Sequence, residues 1–139
     1  GMSHIAAEIL DAEREHCLGV QLLSAAERDR LRERIVAQYG RSNRLWEPVD
    51  GGASVQDTDG WRGIGELVGA RSCVLLFDAG EEAEMFHVPS GQALHDLLAN
   101  TFGFEFYVAD TEAGYLVCFN HHDVLVGWGS AADWIEERR

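Results

Sequence analysis

The sequence predicts an α+β domain over residues 2–139: one mostly antiparallel sheet of about five strands, with N-terminal helices, one inserted helix and a C-terminal helix. Three observations predict it. Apolar residues recur at helical spacing in the first two segments. Short apolar or alternating runs fill the second half, and the strand connections are short, which predicts antiparallel neighbours. The 139 residues are 46% hydrophobic and 25% charged, which supports one core and opposes disorder. Gly1 ahead of Met2 reads as a residue left by tag cleavage and stands outside the domain.

Residues 3–17 read as a helix that Ser3 caps, with Ile5, Ile9, Ala12 and His16 on one stripe. Residues 24–39 carry a capping box, Ser24-Ala25-Ala26-Glu27, and an inner face of Leu31, Ile35 and Tyr39. Gly40 stands where a left-handed C-terminal cap belongs. Arg28, Arg30, Arg32 and Arg34 fan around this helix, which predicts a solvated surface and no basic stripe. Residues 40–63 read as irregular, with turn chemistry at Asp50–Ser54 and Asp57–Gly60, and Trp46 and Trp61 pinning the ends to the core. A short helix over 61–69 is weakened by Gly63 and Gly65.

Cys73–Phe77 is an apolar run that predicts a buried strand, and Glu84–Val88 returns after a turn at 78–82. Pro89-Ser90 opens a helix over 91–101, with Leu94, Leu97, Leu98 and Phe102 inward. Residues 102–108 alternate with a two-residue period, and Tyr115–Phe119 and Val124–Trp128 complete the strands. Ser130 with Asp133 is expected to cap a last helix carrying Trp134 and Ile135.

Charge narrows the function. There are 24 acids against 11 bases, a formal net charge of −13, and every base is Arg. Residues 1–44 are neutral, whereas residues 45–137 hold seventeen acids against two Arg, a net of −15. Such a surface repels phosphate backbones and anionic membranes, so neither nucleic acid nor membrane is an expected partner. No apolar run is long enough to span a bilayer, and no signal peptide is read. The sign suits a basic protein partner. Exposed loop acids, Asp57, Asp59, Glu81, Glu82 and Glu112, are the expected contacts. Cys17, Cys73 and Cys118 are odd in number and widely spaced, which opposes a disulfide framework or a thiolate zinc site and fits a cytoplasmic protein.

One run could carry chemistry. Asn120-His121-His122-Asp123 lies between two strands and offers His121, His122 and Asp123 as metal ligands, with Glu105 as a base. A third ligand would have to come from His87, Glu84 or His95. The alternative is a polar turn in which Asn and Asp bond the local backbone. Residues 55–66 miss a calcium loop, because Val55 replaces its first oxygen ligand. Cys118 sits in an apolar strand and reads as a packed thiol. The aromatics from 102 to 107 read as core rather than a stacking platform, since no basic groove accompanies them. No motif calls for a cofactor, and oligomeric state is not legible.

The segment Glu105-Phe106-Tyr107-Val108-Ala109-Asp110, followed by Asn120-His121-His122-Asp123-Val124-Leu125-Val126-Gly127, resembles an uncharacterised bacterial family of small α/β proteins with an E-x-Y-V-x-D … N-H-H-D-x-L-x-G pattern. The resemblance covers about residues 102–128 and brings no activity with it. More distantly, the order of helices followed by a meander resembles the SUKH superfamily of immunity and interaction proteins. That resemblance implies binding rather than catalysis, by analogy. The expectation is a non-catalytic acidic binding module of the immunity type. The alternative is a metal-binding protein or metal-dependent hydrolase centred on the His-His-Asp turn.

Overall fold

A computed structural model describes residues 3–40, 52–101 and 103–139. Among them are five helices and one sheet of seven strands rather than about five. The helices are α1 (His4–His16), α2 (Ala25–Tyr39), α3 (Gly60–Val68), α4 (Gly91–Ala99) and α5 (Ser130–Arg138). The strands are β1 (Gln21–Leu22), β2 (Ala53–Gln56), β3 (Cys73–Leu76), β4 (Phe86–Val88), β5 (Phe106–Ala109), β6 (Tyr115–Phe119) and β7 (Val124–Gly129). Their order across the sheet is β1-β4-β3-β5-β6-β7-β2, and every neighbouring pair is antiparallel.

The two added strands form the sheet's edges. β1 is two residues long, too short for any period to show. β2 lies where Ser54 suggested a turn, and it pairs with β7 from Ala53↔Gly127 to Gln56↔Val124. Asp50, Trp46 and the rest of 41–51 fall outside the described residues. β5 starts at Phe106 rather than 102, and β4 at Phe86 rather than Glu84.

Local signals set the helix ends. Ser24 and Glu27 form the reciprocal capping box at α2, and Gly40 closes it with φ 68°. Ser90 accepts from the Ala93 amide at 3.1 Å and starts α4. α5 departs from expectation: Gly129 occupies its N-cap with φ 66°, and no side chain caps it.

Helices cover both faces of the sheet. α1, α3, α4 and α5 bury Ile9, Ile64, Leu94 and Ile135 against Leu75, Phe86, Val108, Val117 and Leu125. Among the described residues α2 alone covers the other face, laying Leu31 and Ile35 on Val74, Leu76, Tyr107, Leu116 and Trp128. β3, β5 and β6 are therefore buried at every position. The arginines of α2 are more than solvated surface. Arg28 donates to Ala83 O at 3.2 Å, Arg32 to Phe77 O at 3.3 Å and Arg34 to Thr111 O at 3.5 Å, tying the helix to the turns of the sheet.

Candidate functional site

The strand directions gather one set of loops. β2, β3 and β6 run in one sense and β4, β5 and β7 in the other. The ends of β2, β3 and β6 and the start of β5 therefore meet at one end of the sheet. Asp57, Asp59, Glu81, Glu105 and the Asn120–Asp123 turn all stand there.

The His-His-Asp run is a three-residue hairpin loop. Asn120 N donates to Val124 O and Asp123 N to Asn120 O, both at 3.1 Å, and Asp123 takes φ 58°. Asn120 is 6% exposed, and its side-chain oxygen accepts from the His122 amide at 2.9 Å and the Val124 amide at 3.2 Å. This is the local backbone bonding expected of a polar turn. Asp123 O accepts from Asp57 N at 2.9 Å, which joins the hairpin to the end of β2.

His121 reaches one carboxylate. Its Nδ1 and its amide both meet Glu105 Oε2, the amide at 2.9 Å. The His122 ring centroid lies 3.9 Å from that of His121. No third ligand arrives from the expected residues. His87 lines a groove beneath α2, Glu84 faces Arg28 at 3.8 Å, and His95 stacks on Trp61. Among the described residues no three His, Cys, Asp or Glu side chains are grouped to hold a metal ion.

The two strand thiols and the Tyr107 phenol are held protonated. Burial raises the Cys118 thiol well above its usual value, and the Glu105 charge adds to the effect. Burial also raises the Tyr107 phenol, whose hydroxyl donates to Asp78 Oδ1 at 3.1 Å. Cys73 is pushed up to about 12 by burial. Neither strand cysteine is a ready nucleophile.

The five acids expected to share one face do not. Asp57, Asp59 and Glu81 stand at the end just described. Glu112 lies in the β5–β6 turn at the opposite end, paired with Arg34. Glu82 is not exposed at all: it is 6% accessible and holds the N-terminus of α1. It accepts from Ser3 Oγ, from the Ala6 amide at 3.1 Å and from the Glu84 amide at 2.9 Å. Asp57 meets Arg138 at 3.8 Å in a loose, partly exposed pair, and Asp59 meets Arg62 at 3.5 Å in a largely exposed one. Exposed pairs of that kind contribute little and exchange readily with a competing cation. No ion pair involves Glu81 among the described residues.

Sequence reasoning missed a cluster beside these acids. Phe104, Phe106 and Phe119 form, with Trp61 and Leu98, the wall of a cavity of about 270 Å³. The two-residue alternation marked these rings as core. It could not show that the strand begins at Phe106 and leaves Phe104 half-buried at the open end. No protein-family model, curated protein or solved structure matches the chain.

Proposed function

We propose that the chain is a non-catalytic acidic module that binds a basic protein partner, acting in the cytoplasm in the manner of immunity-type proteins. One observation carries the reading: Asp57, Asp59 and Glu81, three of the expected contact acids, stand at one end of a sheet whose chain is −15 over residues 45–137. Three further facts support it. The thiols of Cys73 and Cys118 are buried and held protonated. The His-His-Asp turn gathers one carboxylate, from Glu105, instead of a metal-ligand set. Among the described residues no helix is long and apolar enough to cross a membrane. The resemblance to interaction proteins points the same way, as analogy.

Association through such a face is fast and salt-sensitive. The test is capture from a lysate of the native host, at low and at high salt, by the wild-type protein and by an Asp57→Asn, Asp59→Asn, Glu81→Gln variant. A basic protein held by the wild type at low salt, released at high salt and not held by the variant is the expected result. A partner held equally by both proteins would rule this surface out.

A further inference from the structure

Phe104 is the common wall of two cavities. On one side lies the aromatic pocket of about 270 Å³. On the other lies an open cleft of about 490 Å³ lined by His4, Ile5, Glu81, Glu105 and His121. The Phe104 ring is fixed by edge-on contacts to Phe77 and Phe106, with centroids at 5.4 and 6.3 Å. Across the pocket, Trp61 is stacked on His95 at 5.6 Å and lies under the Arg62 guanidinium at 4.6 Å. One fixed apolar slot therefore sits beside one acid-lined cleft.

We propose that these two cavities form a single docking groove for an extended segment of a basic protein, with one bulky apolar side chain next to an arginine or lysine. The inference rests on the acidic-module reading and names the segment that its surface would recognise. The aromatic slot takes the apolar side chain, since a desolvated pocket with rigid ring walls is where interfaces concentrate their binding energy. Charge fixes the polarity. Arg62 lines the slot in a loose pair with Asp59 and disfavours a second cation there, whereas Glu81 draws one into the cleft beside a Glu105 already bonded by His121. Along an extended chain neighbouring residues are about 3.3 Å apart, so slot and cleft are reached by residues close in sequence.

The test uses fluorescein-labelled short peptides with fixed Arg and Lys flanks and one varied position, read by fluorescence polarisation. Gly103 lines the slot, and an added Cβ there meets nothing within 4 Å, so a side chain can be introduced at the slot's edge, and Gly103→Trp is the variant chosen to obstruct it. Peptides with Leu or Phe at the varied position are expected to bind about tenfold more tightly than those with Ala, from the apolar area buried. Gly103→Trp should erase that difference and leave the salt-sensitive part of binding intact. Glu81→Gln should weaken every basic peptide alike. Basic peptides that bind with no preference at the varied position would overturn the groove while leaving the acidic module standing. Failure of every peptide at low salt would also overturn the groove, and the lysate capture would then decide the module independently.

Discussion

Glu82 shows how one residue can be misassigned by its neighbours. In sequence it is the second of two glutamates in a polar turn, and such residues usually face water. In the fold it is buried, and its carboxylate takes donors from Ser3, Ala6 and Glu84. A buried carboxylate is tolerated when donors satisfy it, and the N-terminus of a helix favours its charge. Replacing Glu82 with Ala should cost about 2 kcal/mol of unfolding free energy, and Gln about half of that, because the amide keeps part of the bonding and loses the charge. Glu81→Ala should stay within about 0.5 kcal/mol. Urea denaturation of the three variants separates these values, and equal midpoints for Glu81→Ala and Glu82→Ala would refute the capping role. The role was illegible because Glu82 acts across 76 residues of chain, on a helix that already has Ser3 as its legal cap. The Asn120 turn was legible because its donors lie within four residues.

The same division holds for whole elements. Ends set by a side chain bonding its own turn, as at Ser24 and Ser90, are readable from spacing. β1 and β2 were not, because a two-residue and a four-residue edge strand take their place from partners rather than from a pattern. The aromatic slot was lost for a related reason, since nothing local says which ring of an alternating run ends up outside the strand. A glycine of α3 has a second role that spacing does not show. Gly65 and Gly91 bring α3 and α4 together: a Cβ on Gly65 would stand 2.7 Å from Gly91 O. A Cβ on Gly91 would sit still closer to the backbone of Gly65. The helices would have to separate, so Gly91→Ala should destabilise by about 3 kcal/mol, the upper part of the overpacking range. Gly80 lies in the β3–β4 turn with nothing near an added Cβ, so Gly80→Ala should be neutral or gain about 0.5 kcal/mol from a less flexible unfolded chain. A Gly91→Ala protein as stable as the wild type would mean that this backbone contact does not hold α3 and α4 together.

At the scale of the molecule, the neutral N-terminal segment and the acidic remainder are two parts of one charge arrangement. α2 brings Arg28 to Glu84 and Arg34 to Glu112, so the acidic part is offset by arginines the chain itself supplies. The offset is incomplete, because the whole chain keeps a formal charge of −13. Two electrostatic effects then compete as salt is added. Screening weakens the exposed pairs, which are worth roughly 0–1 kcal/mol each. Screening also relieves repulsion among the surplus acids, which acts over the Debye length of about 30 Å at 0.01 M and about 10 Å at 0.1 M. With acids outnumbering bases 24 to 11, relief should win. Raising sodium chloride from about 0.01 to about 0.2 M should therefore raise the melting temperature by a few degrees, the equivalent of about 1 kcal/mol for a chain of this size. The same change should weaken binding of a basic partner, so salt acts with opposite sign on folding and on recognition. Calorimetry across that range, repeated with sodium fluoride to separate screening from anion-specific effects, measures the first sign, and the lysate capture measures the second. A melting temperature that fell with salt would mean that the chain's own ion pairs outweigh its surplus charge. The carboxylates at the open end of the sheet would then be satisfied from within, with little attraction left for a partner.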